Sequence, residues 1–237
     1  MKSVLVLGGS SDIGLEVASV YHDKGFSVVL HYNTMRDELK DLVRKLDNIK
    51  LICLDLSNLS DVENLISDSA DIFSNSDVIV NCTGYLEPKE FYEINADHIC
   101  RTFNINLFAV LLFYKNIIPH MMRREWGRIV NLGSIGVKYG GGKNSFCYAM
   151  TKHSLEFFPS EHKTWASKNV FINTLRVGVT DTRIHRIDKT KDMSHRVSLI
   201  PAGRMASVSE IAKSVYWFGS EENTFITAQV LAIAGGE

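Results

Sequence analysis

Seven short apolar segments, at about 4–7, 27–31, 50–54, 77–81, 128–132, 170–175 and 230–233, are separated by longer stretches with helical spacing. Those stretches lie at about 12–24, 35–46, 59–72, 95–122, 145–167 and 207–219. Near-continuous apolar strands alternating with helices suit a parallel sheet covered on both faces, because such strands have no solvated side. The expected fold is therefore α/β: a doubly wound parallel sheet of about seven strands, with helices on both faces and right-handed crossovers. The 237 residues contain no internal repeat, low-complexity tract or Pro/Gly-rich linker, which points to a single domain, 1–237. In an open sheet of this kind, ligands bind beyond the carboxyl ends of the strands, where the strand order switches. Pro159 falls inside the 145–167 stretch, where a proline kinks or interrupts a helix.

A formal net charge of −1 gives no reason to expect nucleic acid or an anionic membrane as partner. No apolar run approaches the length of a membrane span, and Val4-Leu5-Val6-Leu7 is too short for a signal core. Cys53, Cys82, Cys100 and Cys147 show no Cys-x-x-Cys spacing and no paired histidines, so they read as reduced thiols and not as a metal site. The expectation is a cytoplasmic protein.

The first strand runs into Gly8-Gly9-Ser10-Ser11-Asp12-Ile13-Gly14, which opens the first helix. Glycine lets the backbone approach a pyrophosphate, and the free N–H groups at the helix start face the anion. Asp12 can cap that helix, but it also places a carboxylate where a pyrophosphate would sit. Farther on, Tyr148 and Lys152 are spaced i, i+4 and share one helix face. A tyrosine alone is a usable acid at neutral pH, and a nearby ammonium favours the phenolate and lowers its pKa. Lys152 can also donate to ribose hydroxyls. Ser134, at the end of Val130-Asn131-Leu132-Gly133-Ser134, can donate to a substrate oxygen, with Ser145 as a weaker rival.

These residues, in this chain order, resemble the short-chain dehydrogenase/reductase family, and most closely the bacterial 3-oxoacyl-carrier-protein reductase-like branch. The resemblance covers nearly the whole chain. Its C-terminal part includes Ile200-Pro201-Ala202-Gly203-Arg204, Ser209-Glu210-Ile211-Ala212 and Ala234-Gly235-Gly236. It implies a Rossmann-like fold and an NAD(P)-dependent oxidoreductase that interconverts a carbonyl and an alcohol. It also implies a catalytic set of Asn106, Ser134, Tyr148 and Lys152, with Asn106 anchoring a water-mediated proton relay and Asn104 as the one-slot alternative. On the cofactor side it implies Asp55 and Leu56 after the third strand, Asn81-Cys82-Thr83-Gly84 after the fourth, and Gly178, Thr180 and Thr182 after the sixth. Two departures stand out: Asp12 replaces a glycine of the usual turn, and Val177 replaces the usual proline before Gly178. They leave open the alternative of a dinucleotide-binding regulator with a lapsed active site. The enoyl reductase variant carries a tyrosine seven residues before the lysine, and that position is Ser145.

The second strand ends His31-Tyr32-Asn33, without the acid that accepts from a free ribose 2′-hydroxyl, and Arg36 follows. This favours a 2′-phosphate, hence NADP(H) over NAD(H). The segment at about 182–200 is the expected substrate lid. Its Arg183, His185, Arg186, Lys189, Lys191, His195 and Arg196 suggest a polar or anionic small-molecule carbonyl or alcohol substrate. The family's dimer contacts use helices corresponding to 95–122 and 145–167, so a homotetramer or homodimer is expected.

Overall fold

The seven apolar segments form one parallel sheet in the computed structural model, which describes residues 1–190 and 192–237. Lys191, counted above among the lid cations, lies outside the described residues. The strands are β1 (Ser3–Leu7), β2 (Ser27–Tyr32), β3 (Ile49–Cys53), β4 (Val78–Asn81), β5 (Gly127–Ser134), β6 (Val170–Val177) and β7 (Gln229–Ile233). Their order in space is β3-β2-β1-β4-β5-β6-β7. The chain therefore winds outward in both directions from β1 and β4, and a crevice opens between them at the carboxyl edge. Alternate residues of β1 serve opposite faces. Leu5 and Leu7 join one core layer, and Val4 and Val6 join the other.

The first layer is covered by α3 (Leu59–Asp68), α4 (Ala70–Ser74) and α6 (Ala109–Arg123). The second is covered by α1 (Asp12–Asp23), α2 (Asp37–Lys45) and α10 (Val208–Phe218). The 59–72 stretch divides at Ser69, whose backbone leaves the helical region. The 95–122 stretch is a helix with a defect. A π turn at Asn104–Phe108 separates α5 (Ala96–Phe103) from α6, adding one residue to that turn. The whole run Ala96–Arg123 has the length and hydropathy of a membrane span, contrary to the sequence expectation. Here Val110, Phe113, Ile117 and Met121 bury its apolar stripe against the sheet.

The helix bearing Tyr148 is much shorter than its 145–167 pattern. It is α7 (Phe146–Ser154), followed after a gap by the short α8 (His162–Ala166). Three things end it. The Leu155 carbonyl is taken by Thr174 Oγ1 at 2.6 Å, and the Glu156 carboxylate receives two 2.6 Å bonds from Arg176. Phe158 precedes Pro159 and so is disfavoured in the helical region. A last helix, α9 (Met193–Ser198), lies in the segment after β6.

The glycine turn shows how tightly β1 delivers the chain to the crevice. Gly8 has φ of 70°, and a Cβ there would lie 2.8 Å from the carbonyl of Cys82 and the nitrogen of Thr83. Gly140 has the same φ, but a Cβ there would meet nothing within 4 Å. Gly140→Ala should therefore cost only the left-handed strain of about 1–2 kcal/mol. Gly8→Ala adds a backbone clash and should lower stability clearly further. Urea unfolding of the two variants checks this, and equal losses would mean that the turn is not clamped against β4.

Candidate active site

A cavity of about 460 Å³ lies at the carboxyl edge of the sheet, over β1, β4, β5 and β6. Its floor at β1 is the glycine turn, where Gly8, Ser10, Ser11, Asp12 and Ile13 line the wall. Gly14 sits behind them, and a Cβ there would come within 2.6 Å of the Gly8 carbonyl. The helix cap is Ser11, not Asp12. Ser11 Oγ accepts from Gly14 N at 3.1 Å and donates to Gly8 O at 2.7 Å. Asp12 instead faces the segment after β6. Its carboxylate accepts from the Arg183 backbone N–H at 2.7 Å and pairs with Arg183 Nη2 at 2.6 Å.

His31, which the sequence reading used only to mark the end of β2, is a buried brace for this turn. Its Nδ1 accepts from Gly8 N at 3.1 Å, which places the ring proton on Nε2, facing Leu54 O at 3.0 Å. Burial lowers its pKa, which keeps the ring neutral and its Nδ1 free to accept.

At the end of β2, Asn33 and Arg36 line the cavity, whereas Tyr32 packs on the core layer beneath. Among the described residues the Arg36 side chain forms no ion pair, because Asp37 binds Lys40 and Glu38 binds Arg183. Asp55 and Leu56 line the wall beyond β3, with Asp55 Oδ1 accepting from Ser57 N at 2.9 Å. Cys82, Thr83 and Gly84 line it beyond β4. Asn81 does not reach the cavity. Its Oδ1 accepts from Thr83 N and Oγ1, and its Nδ2 donates to Asn131 on β5 at 3.1 Å. It therefore shapes the wall from behind. Gly178, Thr180 and Thr182 complete the far side. Val177 stays in strand register with Ser134 and Ile233, so the missing proline leaves β6 intact to its last residue.

Ser134, Tyr148 and Lys152 all face this cavity. Ser134 closes β5, and its Oγ accepts from Gly136 N at 3.2 Å, which leaves its own proton to donate. Lys152 is buried, and its Nζ donates to Thr83 O at 2.6 Å and Leu132 O at 2.7 Å. Those two carbonyls anchor α7 across β4 and β5. The ammonium lies 5.7 Å from the centroid of the Tyr148 ring. Burial pushes the Tyr148 hydroxyl up to about 12 and the Lys152 ammonium down to about 8. The direction for Tyr148 is opposite to the sequence expectation, because burial disfavours the charged phenolate. Asn106 stands in the π turn, fully buried and off the cavity wall. Its Oδ1 accepts from Tyr85 N at 2.7 Å, and its Nδ2 donates to Tyr85 O and Thr151 Oγ1 at 2.9 and 3.1 Å. It staples the loop after β4 to α7. Asn104 points elsewhere, donating to Ser57 O at 2.9 Å. Ser145 Oγ accepts from Gly142 N at 2.7 Å, within its own turn.

Tyr85, Ile184, His185 and Ile187 also line the cavity. Ile184, His185 and Ile187 belong to the expected lid segment, whereas nothing in the sequence marks Tyr85, since a lone aromatic residue after a strand carries no local signal.

The family model described as enoyl-(acyl carrier protein) reductase matches residues 8–237. Among curated proteins, nodulation protein G of Rhizobium sp. (strain N33) is 29% identical over 99% of this chain and 96% of its own length. A 2-dehydro-3-deoxy-L-rhamnonate dehydrogenase (NAD(+)) of Sphingomonas sp. (strain SKA58) is also 29% identical, over 99% and 94%. The 3-oxoacyl-[acyl-carrier-protein] reductase FabG of Vibrio cholerae is 26% identical over 99% and 96%. Among solved structures, ElxO with NADP bound superposes with a TM-score of 0.86 at 27% identity, covering 99% of this chain and 98% of that one. The carboxyl-edge cavity and the full-length match agree: this chain belongs to the short-chain dehydrogenase/reductase family, as an NAD(P)-dependent oxidoreductase similar to the 3-oxoacyl-carrier-protein reductases.

Proposed function

We propose that the protein reduces a polar small-molecule carbonyl compound to an alcohol with NADP(H) as cofactor, using Tyr148 as the general acid. The observation that carries this reading is the convergence of Ser134, Tyr148 and Lys152 on the same cavity that the glycine turn and Arg36 line. The residues present fit a dinucleotide. The glycine turn brings backbone to the cavity wall at a helix start, and Arg36, with no ion pair among the described residues, offers a guanidinium where a 2′-phosphate is read. Lys152 keeps a third N–H beyond its two carbonyls for a ribose hydroxyl. When bound, a reduced nicotinamide supplies the hydride.

In this reading Ser134 donates its proton to the substrate oxygen and fixes the carbonyl. Tyr148 then gives its phenolic proton to that oxygen as negative charge develops there. A hydroxyl pushed up by burial is protonated at neutral pH, as a general acid must be. The Lys152 ammonium, on the same helix face, stabilises the phenolate left behind. Asn106 is a positioning residue that holds the β4 loop and α7 in register. His185 and Tyr85 line the cavity, which supports a polar substrate. Arg183 and Arg186 do not supply an anion site there. Arg183 is held at Asp12, and Arg186 lies 3.8 Å from Asp181. A lapsed regulator is disfavoured, since Asp12 is paired and β6 is intact.

The four unpaired cysteines suit a reducing cytoplasm. A homodimer or homotetramer is the proposed assembly. Leu111 on α6 and Phe157 after α7, 48% and 87% exposed, support it as apolar surface on the expected contact face. Sedimentation at micromolar concentration should show a species larger than the monomer, and a lone monomer would contradict the assembly.

Tyr148→Phe should retain NADPH binding and lose about 10²-fold or more in reduction of any carbonyl substrate that the wild type accepts. Turnover left intact would remove Tyr148 from the acid role. The rate of reduction should fall as pH rises through about 8, because the Lys152 ammonium that stabilises the phenolate is lost there. A single-turnover pH profile reads this, and a rate flat to pH 10 would rule out Lys152 as the charge that matters.

A further inference from the structure

Asp12 is the one acidic residue in the glycine turn, and Arg183, 171 positions later, is bound to it twice. The backbone N–H and the Nη2 of Arg183 each take one carboxylate oxygen, so the contact fixes both the chain and the side chain. Nη2 also donates to Ser10 O at 3.3 Å, inside the turn itself. Nη1 reaches Glu38 Oε1 at 3.3 Å, but that carboxylate is mostly solvated and contributes little. A guanidinium has five donors. Here Nε is buried without a hydrogen-bond partner among the described residues, and Arg183 lines the cavity. The arrangement thus leaves donors unspent beside the backbone that approaches the anion site.

We propose that Arg183 is a diphosphate-binding residue, borne on the segment after β6 and held over the glycine turn by Asp12 as its positioning residue. The inference rests on the dinucleotide reading above. Asp12 by itself would repel a diphosphate. Paired with Arg183, it contributes no net charge and orients a planar, hydrogen-bonding cation toward the phosphates. The pair also ties the segment that carries Ile184 and His185 to the cofactor turn, so the anion site and the substrate wall share one tether.

The test is fluorescence titration of the full-length protein with NADPH, with ADP and adenosine as displacing probes. The proteins compared are the wild type, Arg183→Ala and the double variant Asp12→Gly/Arg183→Ala. Arg183→Ala leaves a bare carboxylate at the turn. It should weaken NADPH and ADP by about ten- to hundredfold while leaving adenosine, which has no phosphate, unchanged. The double variant should bind NADPH more tightly than Arg183→Ala, because the unpaired carboxylate is gone. Wild-type affinity in Arg183→Ala overturns the proposal. So does equal weakening of ADP and adenosine, or a double variant no better than Arg183→Ala. A wild type that binds neither NADPH nor NADH overturns the dinucleotide reading, and this inference with it.

Discussion

The buried ammonium of Lys152 is the constraint around which the site is arranged. It donates to Thr83 O just beyond β4 and to Leu132 O near the end of β5, so one side chain on α7 ties two neighbouring strands together at the cavity. The downward displacement from 10.5 to about 8 means that the fold holds this charge against a cost on the order of 3 kcal/mol at neutral pH. Its pKa is lower folded than unfolded, so the cost is fully present below about 8 and is relieved as pH rises toward 10.5. A lysine retained on such terms argues for a chemical task, since two carbonyls could be satisfied more cheaply.

Around that ammonium the polar side chains act as ties between elements. Asn81 links β4 to Asn131 on β5, and Tyr114 on α6 donates to the same Asn131 oxygen at 2.6 Å. Asn106 links the loop after β4 to α7 through Tyr85 and Thr151. His31 holds the glycine turn to the end of β3. Each of these groups is buried and has its partners, and a partly satisfied network there would be costly. The cavity surface is thus set by residues that mostly do not touch it.

What could be read from the sequence was local. Strand hydrophobicity, the glycine turn and the i, i+4 spacing of Tyr148 and Lys152 are short-range patterns, and the sheet and cavity carry them. The end of α7 was not legible, because Thr174 and Arg176 on β6 compete for Leu155 and Glu156 from about twenty residues away. The π turn at Asn106 shifts one residue in a pattern that otherwise reads as continuous helix. The direction of the Tyr148 pKa depends on burial, which residue spacing does not report. Asp12 read as an unhelpful charge because its partner lies at the other end of the chain.

Binding of NADPH and NADH to the wild-type protein, titrated separately by nicotinamide fluorescence, tests the central claim most directly. The account predicts that both bind and that NADPH binds more tightly, because Arg36, in no ion pair among the described residues, lines the cavity beyond β2 and no carboxylate stands at Tyr32 or Asn33. Equal or tighter binding of NADH would contradict the assignment of that edge, and binding of neither would contradict the reading of the cavity as a dinucleotide site.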